Sequence, residues 1–123
     1  MAGYSSMKDV AAAVSENGNL MTATLGELRE ALGYNRLGVR VLGEIARSLQ
    51  DEKLGYFPTW ALEDNDVPRY GDVIRIYRID SAVGRTIEAV LKPSPSGDEL
   101  LLDSAGSEAV EKLRRIRIIL GCD

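Results

Sequence analysis

The stretch TLGELREALGYNRLGVRVLGEIARSLQDEKL, residues Thr24 to Leu54, decides how this chain is read. It contains two helical patterns separated by Gly33-Tyr34-Asn35, and the second carries arginines opposite its apolar face. At about 100° per residue, Leu42, Ile45 and Leu49 fall on one side of the Arg36 to Lys53 segment, with Val41 and Leu37 at its flank. Arg36, Arg40 and Arg47 cluster within roughly 60° on the other side. A helix that buries one face and lines the other with guanidinium groups meets the requirement for entering a DNA major groove.

The same stretch carries its own start and stop signals. Thr24 and Glu27 form a Thr-x-x-Glu capping box for a helix over Leu25 to Leu32. Leu25, Leu28 and Leu32 are its core face, and Gly33 is placed to end it in the left-handed conformation. Asn35 is the expected N-cap of the next helix, which makes the connection as tight as that of a helix-turn-helix. Gly38 and Gly43 fall inside that second pattern, where glycine costs about 1 kcal/mol relative to alanine. Close approach of another backbone explains such a cost: helix two for Gly38, a DNA strand for Gly43.

Working outward, the first helix spans about Ser5 to Glu16, with Met7, Val10, Ala11 and Val14 at helical spacing and Gly18 beyond its end. Leu20-Met21-Thr22 reads as a short strand. After Gly55 the aromatic run Tyr56 to Trp60 reads as an edge strand because of Pro58, and Val73 to Ile79 as its hairpin partner, with Ile74 and Ile76 on one face. Ser81 caps a helix in which Val83, Ile87, Val90 and Leu91 repeat, ended by Pro93. A Pro-Ser-Pro-Ser-Gly loop leads to a short helical turn within Asp98 to Ala105 and then to a last element from Ser107, whose end, Arg114 to Leu120, fits helix or strand equally.

With 123 residues, 45% apolar and 28% charged, the chain has the composition of a soluble globular domain. The expected class is mixed α+β. The absence of a long apolar run and of a basic, apolar leader gives the expectation of a cytoplasmic protein without membrane contact. Its one cysteine, Cys122, precludes an intrachain disulfide or a zinc cluster. No histidine is present, which removes the commonest general base and metal ligand, so no catalytic residue, metal site or cofactor is expected. Glu63, Asp64 and Asp66 lack the glycine and distal glutamate of a calcium loop and read as a solvated acidic loop.

The order of elements over about residues 5–79 resembles that of winged helix-turn-helix DNA-binding domains, carried by Thr24-x-x-Glu27-Leu28 and Gly33-x-Asn35-Arg36. The resemblance implies a winged-helix domain over 1–80 and a C-terminal helical extension over 81–123. Its third helix, residues 36–53, would read the major groove, and a wing from Trp60 to Tyr70 would lie along the backbone or minor groove. The tip Glu63-Asp64-Asn65-Asp66 departs from a phosphate-binding wing, leaving Arg69 as its basic contact.

The DNA-contacting set expected on this reading is Asn35, Arg36, Arg40, Gly43, Arg47 and Arg69, in a sequence-specific double-stranded DNA-binding protein of bacterial or phage regulatory type. The C-terminal apolar stripes, Val83 to Leu91 and Leu113 to Leu120, suggest a homodimer. A net charge of −4 runs against a general nucleic-acid binder, although Glu44, Asp51 and Glu52 are read as lying mostly beside or beyond the arginine stripe. The alternative is a protein-interaction module on the same scaffold, which acidic side chains interrupting the basic face would favour. Arg40 and Glu44 as a helical ion pair, Tyr56, Phe57 and Trp60 as core aromatics, and Arg114, Arg115 and Arg117 as a solvated face are the structural readings of those residues.

Overall fold

A computed structural model describes residues 4–103. Their elements, in chain order, are α1 (Met7–Glu16), β1 (Leu20–Thr24), α2 (Leu25–Ala31), α3 (Val39–Asp51), β2 (Leu54–Phe57), α4 (Trp60–Glu63), β3 (Val73–Arg78) and α5 (Ala82–Leu91). Residues 95–103 are again helical. The class is mixed α+β, and the chain divides into two units, Met1–Gly84 and Arg85–Asp123.

In the first unit the sheet has three antiparallel strands in the order β1-β3-β2. Ile76 stands opposite Met21 on one side and Tyr56 on the other, and Ile74 opposite Ala23. Because side chains alternate along a strand, Ile74 and Ile76 share the inner face. Both are fully buried in the core with Val10 and Val14 of α1, Leu25 and Leu28 of α2, and Leu42, Ile45 and Leu49 of α3. Tyr77, on the outer face, is also buried, and it lies over Gly55 of β2, where a Cβ would run into its ring. Phe57 flanks it, with ring centroids 6.0 Å apart.

Local signals account for most boundaries. Ser6 caps α1 by accepting from the Asp9 amide at 3.2 Å, one residue inside the expected start. The α2 capping box is complete: the Glu27 amide donates to Thr24 Oγ1 at 3.1 Å, and the Thr24 amide to Glu27 Oε1 at 2.8 Å. The Leu25 and Gly26 amides donate to the carbonyls of Asp72 and Tyr70, each at 2.9 Å. Gly33 adopts φ +80 after α2, the conformation expected of it. Ser81 accepts from the Gly84 amide at 3.0 Å at the start of α5.

Beyond shifts of one or two residues at other ends, three boundaries differ from expectation. First, α3 begins at Val39 with Gly38 as its N-cap, so Asn35 does not cap it and Arg36 lies ahead of the helix. Starting there keeps Gly38 out of the helix interior, and the Asn35 carbonyl is instead held by Arg29 Nη1 at 3.2 Å. Nothing lies within 4 Å of a Cβ at Gly38, so packing on α2 does not explain that glycine. Second, β1 extends to Thr24, because all five of its residues pair with β3. Third, the strand expected at Tyr56 to Trp60 is shifted back to Leu54–Phe57, and Trp60 opens α4. Strand propensity yields to packing: Ala61 and Leu62 are buried and α4 lies on α3.

In the second unit, Ala89 is buried while Val90, Leu91, Leu100 and Leu102 are exposed, and Lys92 pairs with Glu88 at 3.3 Å. The terminal element from Ser107, with Arg114, Arg115 and Arg117, lies outside the described residues. Among those described, no helix is long and apolar enough to cross a membrane.

The buried stripe fixes which face of α3 is exposed. Leu42→Ala and Leu49→Ala are each expected to destabilise the protein by about 2 to 5 kcal/mol, from lost burial and the cavity left behind. Urea unfolding checks this: both midpoints should fall, and unmoved midpoints would mean that the opposite face is buried.

Candidate nucleic-acid interface

α3 is strongly two-sided. With Leu42, Ile45 and Leu49 fully buried, helical geometry turns Arg40, Gly43, Arg47 and Gln50 outward, and all four are exposed. The structure therefore gathers Arg40, Gly43 and Arg47 on one face. Asn35 and Arg36 are exposed in the segment leading into the helix, and Arg69 is exposed on the loop that returns to the start of α2. Its amide donates to Asp72 Oδ2 at 3.0 Å, which shapes the turn into β3.

Among the described residues, the guanidinium groups of Arg36, Arg40, Arg47 and Arg69 form no ion pair. The expected Arg40 to Glu44 pair is likewise not formed. A Cβ at Gly43 would meet nothing within 4 Å, so this glycine leaves the α3 backbone open between the two arginines. Neighbouring chain does not explain it.

The face is not uniformly basic, which corrects the expected placement of the acids. Helical repeats of four, seven and eleven residues put Glu44, Arg47 and Asp51 in line with Arg40. Asp51 is exposed, while Glu44 is half-buried and one of its carboxylate oxygens, Oε2, has no hydrogen-bond partner. Glu44 lines an open depression of 250 Å³ with Leu32, Tyr34, Arg47 and Ser48, between the end of α2 and the exposed side of α3. Hydrogen bonding to Glu44, with smaller effects from desolvation and the carboxylate charge, raises the Tyr34 phenol above its ordinary pKa, and Arg40 acts in the opposite sense.

Arg29 of α2 braces the approach to this face. Its guanidinium donates to the Asn35 carbonyl, pairs with Glu30 at 3.4 Å and stands 5.0 Å from the centroid of the Tyr70 ring. The Tyr70 hydroxyl donates to Glu30 at 2.8 Å. One arginine thus ties the segment entering α3 and the loop before β3 to the same helix. Neither Arg29 nor the Tyr34 and Glu44 pair was among the residues expected from sequence. The available signal was the spacing of Glu44 one turn from Arg40, but the cleft that brings it to Tyr34 exists only once α2 and α3 are packed.

The expected wing, Trp60 to Tyr70, is anchored at both ends. Its first part is α4, tied to β2 by the Tyr56 hydroxyl donating to Glu63; its last part is held on α2 through Tyr70. Between them Asp64 and Asp66 are exposed, and the buried Asn65 donates to the Ala61 carbonyl at 3.2 Å. Among the described residues no three His, Cys, Asp or Glu side chains are gathered so as to hold a metal ion.

No known protein family matches the chain, and neither a curated protein nor a solved structure shows significant similarity to it.

Burial, then the hydrogen bond to Glu63 and its charge, hold the Tyr56 phenol well above its ordinary pKa of 10.0. The folded state therefore keeps this proton when the unfolded chain has lost it. The resulting stabilisation is complete below pH 10 and declines as the pH rises above it. Unfolding midpoints measured upward from pH 9 are expected to fall less steeply in Tyr56→Phe than in the wild type; parallel profiles would show that this phenol does not contribute.

Proposed function

We propose that the chain is a non-enzymatic, sequence-specific binder of double-stranded DNA, acting in the cytoplasm as a transcriptional regulator of bacterial or phage type, with α3 as its major-groove helix. The observation that carries this reading is the exposed side of α3: Arg40 and Arg47, free of ion pairs among the described residues, flank the open backbone at Gly43 while the opposite side is locked into the core. Such guanidinium groups suit guanine edges and phosphates. The succession helix, strand, helix, helix, strand, short helix, strand, with strand order β1-β3-β2, supports a winged helix-turn-helix arrangement in which α4 occupies the first part of the wing. In it Asn35 and Arg36 meet the duplex where the chain enters α3. Arg69 supplies the basic contact of the loop between β2 and β3.

A second reading, a protein-interaction module on this scaffold, is favoured by one observation: Glu44 and Asp51 interrupt the arginine face, and the loop after α4 adds Asp64 and Asp66. Phosphate affinity comes from Lys and Arg, so these acids act against it. DNA is preferred because the acids leave Arg40 and Arg47 unneutralised.

The proposal includes pairing of two copies through the C-terminal part of the chain, supported by the exposed Val90, Leu91, Leu100 and Leu102 of the second unit. Twofold pairing doubles the base contacts that one short helix can make.

Arg40→Ala and Arg47→Ala are each expected to weaken duplex binding by about 1 to 3 kcal/mol where the contact is bidentate, with stability unchanged. Wild-type affinity should drop steeply between low and moderate salt. A mobility-shift assay in which the double variant binds as the wild type does would remove α3 from the groove. Light scattering of the full chain at tens of micromolar should report a dimer, and a monomer there would end the pairing proposal.

A further inference from the structure

Glu44 is the one acidic side chain on the exposed side of α3 that is drawn into the structure instead of standing in solvent. It sits one turn after Arg40 and just under one turn before Arg47, yet pairs with neither. Its carboxylate lines the depression that opens beside Arg47, with Oε2 lacking any partner. A carboxylate is an acceptor only, and leaving a desolvated acceptor unsatisfied is costly. On a helix facing phosphates its charge is also repulsive. Both costs are removed if the side chain turns out of this solvent-shielded position to meet a hydrogen-bond donor that the bound partner brings.

We infer that Glu44 sets sequence specificity by accepting a hydrogen bond from the N4 amino group of a cytosine in the major groove, an inference that rests on the reading of α3 as the groove helix. The chemistry selects the base. Guanine presents only N7 and O6 acceptors there, and thymine presents O4 beside a methyl group; both repel a carboxylate. Adenine offers an N6 donor but sets the N7 acceptor next to it. Cytosine presents N4 without a neighbouring acceptor, and carboxylate side chains pair with it for that reason. Arg40 and Arg47, on either side, favour guanines, so the site read by α3 is a short step rich in G·C pairs whose one obligatory cytosine lies opposite Glu44. Tyr34 lines the same depression beside this carboxylate.

The test is selection of bound sequences from a random duplex library by the full-length wild type, Glu44→Gln and Glu44→Ala, each first shown to melt as the wild type does. The wild type should yield a motif with an invariant cytosine at one position. Glu44→Gln should change that position to adenine, since an amide pairs with N6 and N7 together, and Glu44→Ala should leave it without preference. On the wild type itself, replacing that C·G pair by T·A, which puts an acceptor in place of the donor, should lower affinity about tenfold to a hundredfold. The same motif from all three proteins, a wild-type motif without an invariant cytosine, or folded variants that bind no duplex would each overturn the inference while leaving the groove reading of α3 standing. Failure of the wild type to bind any duplex would overturn both.

Discussion

The burial of Leu42, Ile45 and Leu49 in the core they share with the sheet, α1 and α2 is the constraint on which the rest of the first unit depends. A helix has one orientation about its own axis, and three fully buried side chains at spacings of three and four leave no freedom to rotate it. Everything on the outside of α3 is therefore set by what is on the inside. Arg40, Gly43 and Arg47 are presented to solvent because the leucines and the isoleucine are not. The order β1-β3-β2 places β3 at the centre, and its Ile74 and Ile76 are buried in the same core.

A second level of organisation fixes the approaches to α3 and not the helix itself. Arg29 touches the backbone at Asn35 and the ring of Tyr70, two segments distant in sequence that both leave the core. Its location in the last turn of α2 makes the connection between them short. On the other side, α4 closes over α3 through Ala61 and Leu62. The exposed face is consequently framed by packed chain on both sides although, among the described residues, its arginines form no ion pair.

What could be read from sequence follows the range of the interaction involved. The Thr24 capping box, the left-handed Gly33 and the two faces of α3 depend on residues within a turn or two of each other, and each stands where its pattern put it. Asn35 had the right chemistry for a cap, but the start of α3 was decided by Gly38 and by a bond from Arg29 to the Asn35 backbone. Trp60 lies in an aromatic run of high strand propensity, yet the burial of its neighbours against α3 made it helical. Tyr77 is buried on the side of the sheet opposite Ile76 because Gly55 leaves room for its ring, a fit that depends on register across strands. Of the candidate site, Arg40, Gly43 and Arg47 were legible as a face; the association of Glu44 with Tyr34 was not, since it forms across the packed ends of two helices.

The closure of the α2 start has a further electrostatic consequence. A helix N-terminus attracts anions through amides that have no partner of their own. At α2 every amide from Thr24 to Glu27 is already engaged, two by the capping box and two by the carbonyls of Tyr70 and Asp72. The positive end of that helix is thus spent on the protein's own loop. An anion arriving there finds no backbone cradle and would have to be held by side-chain charge alone, which competing salt screens.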